Sequence, residues 1–425
     1  MSKQFLLGAA IAAHQAEGNN IHSDFWALEQ MENSTYKEPS LDAVDHYHRY
    51  EEDIRLLSEA GLNAFRFSIE WARIEPEKGR YEEKEIEHYR SVLECCKKYG
   101  ITPVVTMHHF SSPKWLISQG GWEDERTIEA FAKYCRYVVE RLGDKLEYIC
   151  TINEANMGLQ IAAVAQDIMR KMGIAPQIGM KFELPKEIKA KKAGEAAVFG
   201  LDPEQTVNTF LSLRTTEGDI LVMRAHEAAR DAMKSVCPHL KVGLTLSLFD
   251  IQAQPGGEGE AAKLWDADFA HYLPYIQGDD FIGIQNYTRK LVGKDGALPT
   301  PEGAEVTQMD YEFYPEGIGH VIRHVSESLS IPILVTENGI GTDDDTRRVE
   351  YIRRAIAGVK SCLEDGIPMI GYIHWSLLDN FEWQEGYEKT FGLIAVDRAT
   401  QKRAPKPSLK YLGNLGKEIS HEILL

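Results

Sequence analysis

The chain has 425 residues, 43% of them hydrophobic and 26% charged, with a formal net charge of −18 at pH 7. A balance this acidic argues against nucleic acid or an anionic membrane as the main partner, because both are held by basic surfaces. No apolar run approaches the roughly 20 residues that cross a bilayer, so neutral small molecules are the expected ligands.

The first predicted strand is "FLLGAAIA" (5–12), followed by "NAFRFSI" (63–69), "TPVVTMH" (102–108) and "YICTIN" (148–153). Four more follow: "KVGLTLSL" (241–248), "DDFIGIQ" (279–285), "PILVTE" (332–337) and "MIGYIHW" (369–375). Their nearly continuous apolar character is that of strands covered on both faces. Amphipathic helical patterns lie between them at 50–61, 81–100, 127–143 and 346–366, each stopping at a glycine. Strands alternating with helices predict a single α/β domain, a parallel (β/α)8 (TIM) barrel over residues 1–425 with long βα loops. An open doubly wound sheet is the alternative, but no GxGxxG turn follows the first strand. Two excursions are long, 155–202 and 289–330, and a long helix is expected to start near Pro203. Methionines 157, 169, 172 and 180 are candidates for an adaptable pocket wall.

The six cysteines, Cys95, Cys96, Cys135, Cys150, Cys237 and Cys362, show no CxxC spacing. They are expected to be reduced packing residues, which points to the cytoplasm. The start, "MSKQFLLGAAIAA", imitates a short signal peptide.

Reacting groups in such a barrel stand at the C-terminal strand ends, all on one face. Read in order, those ends carry His14, Gln15 and Glu17, then Arg66, Ser68, Glu70 and Trp71. His108 and His109 follow, then Asn153 and Glu154. The sixth end supplies Gln285, Asn286 and Tyr287, the seventh Glu337 and Asn338, and the eighth Trp375. Only the fifth end, "LSLFD", lacks an obvious set. Glu154 and Glu337 are expected on opposite strands of the circle. Glycoside hydrolysis needs such a pair, one carboxyl to protonate the leaving oxygen and the other to attack or to activate water. Arg66 beside Glu337 would keep a nucleophile ionised, while a desolvated carboxyl keeps its proton and serves as acid.

Six segments carry a family resemblance: "GAAIAAHQAEG" (8–18), "RFSIEWARIEP" (66–76), "HHF" (108–110), "TINEA" (151–155), "VTENG" (335–339) and "WSLLDNFEWQEGY" (375–387). The chain resembles glycoside hydrolase family 1, the retaining β-glucosidase family, nearly from end to end. The resemblance implies Glu154 as acid/base and Glu337 as nucleophile, with Arg66 and Tyr287 positioning the nucleophile. It implies a sugar subsite from Gln15, His109, Asn153, Tyr287, Trp375, Glu382 and Trp383, a β-glycoside or oligosaccharide substrate, and no metal or cofactor. It also makes the N-terminal apolar run the first barrel strand rather than a signal. Homo-oligomerisation is left open.

Several positions depart from the family pattern. Phe110 stands where Trp is usual, Ser111 where Asp is usual, Ala155 replaces Pro, Gln285 replaces Asn, Asn286 replaces Tyr, and Leu7 replaces an aromatic. Phe110 and Gln285 are expected to touch or flank the sugar pocket. A phospho-β-glycosidase is the runner-up; that branch typically replaces the Glu at 382, which is retained here. A carbohydrate-binding barrel without catalysis is the remaining alternative, against which the joint presence of Glu154, Glu337, Arg66 and Tyr287 speaks. His109 alone would read as a core histidine, and His108 is assigned to structure. His46 and His48 invite a metal reading, but they lead straight into the first helix, so packing is expected. Trp26, Trp115, Trp122 and Trp265 default to packing.

Overall fold

A computed structural model describes residues 4–171 and 186–423. Eight parallel strands close a barrel: β1 (Leu6–Ala10), β2 (Ala64–Ser68), β3 (Thr102–His108), β4 (Tyr148–Ile152), β5 (Lys241–Ser247), β6 (Phe281–Gln285), β7 (Ile333–Glu337) and β8 (Met369–Trp375). Each strand pairs with the next in sequence, and β8 closes on β1 with Ala10 opposite Trp375. All eight expected strands are present, and the imitation signal peptide supplies β1.

The helices outside are α1 (His46–Glu59), α2 (Glu83–Lys98), α3 (Arg126–Leu142), α4 (Met157–Lys171), α5 (Lys186–Val198), α6 (Thr216–Val236), α7 (Glu258–Asp268), α8 (Gly317–Ser328), α9 (Asp345–Glu364) and α10 (Pro407–Ile423). Their apolar stripes pack on the barrel through residues such as Ile54, Leu57, Val138, Val139, Ile352 and Ile356, all at most 1% exposed. Burying one such side chain contributes about 1.5–3 kcal/mol. Inside the barrel a second cluster, including Leu6, Val104, Tyr148, Phe281, Leu334 and Ile373, fills the space below the site. Gly283 on β6 is required by this filling: a Cβ there would stand 2.6 Å from the Thr245 methyl and 2.9 Å from that of Thr336.

Two expectations are corrected. The long helix starts at Thr216, not near Pro203, because Thr215 is the residue that caps it, its Oγ1 accepting the Gly218 N–H at 2.9 Å. Glu154 and Glu337 do not end diametrically opposite strands. Only β5 and β6 separate β4 from β7 on one side, which brings the two carboxyls nearer than a full diameter. The excursions are structured where described: α4 and α5 lie in the first, while the second contributes strand Arg289–Gly293, paired with Asp250–Ala253, and helix α8.

Met157 lines the pocket and Met169 is 41% exposed, while Met172 and Met180 lie outside the described residues. All six cysteines are free, five of them buried. His46 Nδ1 donates to the Asp53 carboxylate at 2.8 Å within α1, and His48 pairs with Asp45 at 2.6 Å, so both serve structure. Trp122 and Trp265 are buried in the core. Among the described residues no helix is long and apolar enough to cross a membrane.

Candidate active site

The C-terminal strand ends converge on one cavity of about 930 Å³ whose lining includes Glu154, Glu337, His109, Tyr287, Trp375, Glu382 and Trp383. Arg66 projects from β2 into the barrel and is fully buried. Its Nη1 donates to Glu337 Oε1 at 2.6 Å and its Nη2 to Asn153 Oδ1 at 2.6 Å, while Nε reaches Thr106 Oγ1 at 3.1 Å. The Tyr287 hydroxyl donates to the other Glu337 oxygen, Oε2, at 2.6 Å. Both bonds end on an ionised carboxylate, and such charge-assisted hydrogen bonds are the strong ones.

Glu154 follows β4 in a left-handed backbone conformation, φ 43°, with its N–H donated to Thr245 Oγ1 at 2.9 Å. The Ser247 hydroxyl stands beside its carboxyl and favours the ionised form. Thr245 and Ser247 are the functional neighbours that the sequence reading missed. They are the inward positions of "KVGLTLSL", where small hydroxyls alternate with leucines that face the helices, and that period of two was the available signal.

The electrostatics divide the two carboxyls. Burial raises Glu154 well above the ordinary carboxylate range and the nearby Glu337 charge raises it further, while Ser247 and Arg66 oppose this only partly. Burial raises Glu337 too, but the Arg66 guanidinium, Tyr287 and Gln285 all favour its ionised form. A shared site cannot easily carry two charges, so the proton rests on Glu154. His109, with Nε2 3.9 Å from Glu337 Oε1, is driven well below its usual range by burial and by Arg66, so it is neutral.

Around this pair lie groups suited to a polyhydroxylated ring. Gln15 Nε2 donates to Phe381 O at 2.7 Å and to Glu382 Oε2 at 3.2 Å. Gln15 Oε1, His109 Nδ1, Asn153 Nδ2 and Gln285 Oε1 are buried without a hydrogen-bond partner among the described residues. Buried polar atoms are rarely left so, and four at one mouth point to hydroxyl recognition. The indole of Trp375 stacks on His109 at 5.6 Å, and Trp383 stacks on His14 at 5.9 Å. Phe110 packs on Trp383 at 5.2 Å and lines the pocket as expected. Gln285 does more than flank it: Nε2 donates to Asn153 Oδ1 at 2.8 Å. Phe110 and Trp383 also hold left-handed backbone, at φ 67° and 48°. His108 lies behind, bonded to Ser112 Oγ at 2.9 Å, as a structural residue.

Fold and site together define a sugar-cleaving barrel, with a supported carboxylate facing a protonated one across a pocket of aromatics and unpaired polar atoms. A family model described as Glycosyl hydrolase family 1 matches residues 1–177 and 266–420, and the chain belongs to that family. The crystal structure of β-glycosidase BGL167 is 46% identical, covers 99% of this chain and 97% of its own, and superimposes with a TM-score of 0.88. β-Glucosidase A of Thermotoga maritima is 28% identical over 97% of both chains. A 6-phospho-β-galactosidase of Leptotrichia buccalis is 30% identical over 96% of both.

Proposed function

We propose that this protein is a cytoplasmic, retaining β-glucosidase that releases terminal β-D-glucosyl residues by double displacement. The observation that carries the reading is the asymmetric pair: Glu337 clamped by Arg66 and Tyr287, and Glu154 buried without a cation of its own. In the first step a Glu337 oxygen attacks the anomeric carbon as Glu154 gives its proton to the departing oxygen. In the second, Glu154 takes a proton from water, which attacks the same carbon and frees Glu337. Two inversions leave the β configuration. Gln15, His109, Asn153, Tyr287, Trp375, Glu382 and Trp383 would hold the glucose ring. Proton NMR of fresh hydrolysate tests this: β-glucose is expected before mutarotation, and α-glucose appearing first would sink the double displacement.

The 6-phospho relatives make phosphorylated glycosides the second reading, and Glu382 separates the two. Burial and the Glu337 charge push its carboxyl up to about 8, against the Gln15 hydrogen bond, so near neutral pH it carries a proton much of the time in the empty pocket. In either state it suits sugar hydroxyls, as donor or acceptor. A 6-phosphate would add charge beside Glu337 and Glu382, where a cation is needed. Two lysines on the neighbouring loops are engaged elsewhere: Lys389 lies 3.8 Å from Glu385, and Lys37 bridges Glu385 and Glu388 at 2.6 and 2.8 Å. The expected result is kcat/KM for nitrophenyl β-glucoside at least about 100-fold above that for its 6-phosphate, the ratio set by roughly 3 kcal/mol for an uncompensated buried charge. Glu382→Ala should lower the former by about tenfold or more. Faster turnover of the 6-phosphate by the unaltered protein would overturn the substrate assignment.

A further inference from the structure

The cavity does not end at the two carboxylates. Helix α4 begins three residues after Glu154, and Ile161, Val164 and Ile168 share one of its faces and line the same cavity. Val164 and Ile168 are 58% and 52% exposed. Leu264 of α7, Phe249 just past β5, and Met309 add to this apolar wall, which Gln160, Asp167, Glu260, Asp268, Asp295 and Gln384 interrupt. A cation stands there as well, but it is engaged with its own wall: Lys290 Nζ lies 3.9 Å from the centre of the Phe249 ring and is drawn to the Asp268 charge.

The occupant of this space follows from the chemistry. Glu154 must reach the leaving oxygen, so a glycoside seated for reaction sends its leaving group past Glu154 and along α4. We infer that the leaving-group side of the pocket is built for apolar aglycones, alkyl or aryl, in preference to further sugar units. The inference rests on the β-glucosidase reading above. A second sugar would bring many of its hydroxyls against leucine, isoleucine and valine, where they lose water. Some polar groups of the wall are already engaged, Gln160 Nε2 donating to Ser247 O at 2.9 Å and Glu260 pairing with Lys263 at 2.6 Å. A methylene placed on the same wall leaves water to advantage.

The test compares kcat/KM for methyl, butyl, hexyl and octyl β-D-glucosides, whose leaving alcohols differ little in acidity, with the series from cellobiose to cellotetraose. Full burial predicts a gain of about threefold to fourfold per methylene in the alkyl series, and a change of less than about twofold per added glucose in the other. Val164→Asp, at an exposed position that need not disturb folding, is expected to flatten the alkyl slope. A flat alkyl series in the unaltered protein, or a steeper cello-oligosaccharide series, overturns the inference while hydrolysis of methyl glucoside upholds the reading beneath it. An alkyl slope that survives Val164→Asp overturns the placement along α4. No hydrolysis of any β-glucoside overturns the β-glucosidase reading itself.

Discussion

Glu337→Gly is expected to lower kcat on β-glucosides by at least about 10⁴-fold while sugar binding persists, since it removes the attacking group and leaves the pocket walls in place. The vacated space lies against Arg66 Nη1 and the Tyr287 hydroxyl, both of which donated to the lost carboxylate. A small anion suits that arrangement, so azide or formate should restore part of the turnover. With azide the product should be the α-glucosyl azide, because a single inversion replaces two. The decisive measurements are kcat with and without azide and the configuration of the trapped product. Undiminished hydrolysis by the variant, or a β-configured azide, contradicts the assignment of Glu337 as nucleophile.

Glu154→Ala should separate substrates by leaving group. General acid catalysis is worth about 10² to 10⁴ when the departing oxygen is a poor leaving group. Cellobiose should lose kcat/KM in that range, whereas a dinitrophenyl β-glucoside, which departs without a proton, should lose less than about tenfold. The pH profile should change as well. As the proposed acid Glu154 acts protonated, and burial with the Glu337 charge raises its pKa. In the unaltered protein, activity on substrates that need its proton is therefore expected to fall as pH rises through that value. The alkaline limb expected for cellobiose, which needs that proton, should disappear in the variant. Equal losses on both substrates with an unchanged profile would make Glu154 a structural residue.

Much of this molecule was legible in the chain. All eight barrel strands were readable because helices cover one face and packed side chains the other, so each strand is a nearly continuous apolar run between glycines and turns. The polar strand ends were readable for a related reason: Glu154, Asn153 and Glu337 interrupt apolar runs where the chain should still be buried. Arg66 beside Glu337 required only the closure of the barrel. The roles of Gln15, His109, Glu382 and Trp383 came from the family resemblance, since nothing in their local pattern distinguishes them from core or loop residues. Thr245 and Ser247 were missed because threonine and serine are ordinary in strands. The start of α6 was misplaced because a cap such as Thr215 acts through geometry, and Pro203 mimics a helix start equally well. The apolar wall of α4 needed the orientation of the helix relative to Glu154, which no local pattern contains.

Glu154, Phe110 and Trp383 share a backbone conformation that side chains other than glycine ordinarily avoid. Each such residue costs on the order of 1–3 kcal/mol, a sizeable part of the about 5–15 kcal/mol by which a folded domain exceeds its unfolded state. Glycine would relax all three and would also delete an acid and two aromatic walls. Hardiness and turnover therefore pull against one another at this mouth, and improvement in the first has to be sought at the opposite, N-terminal end of the barrel, where residues answer to packing alone. Over evolutionary time the two ends should drift at different speeds, the far end freely and the near end hardly at all.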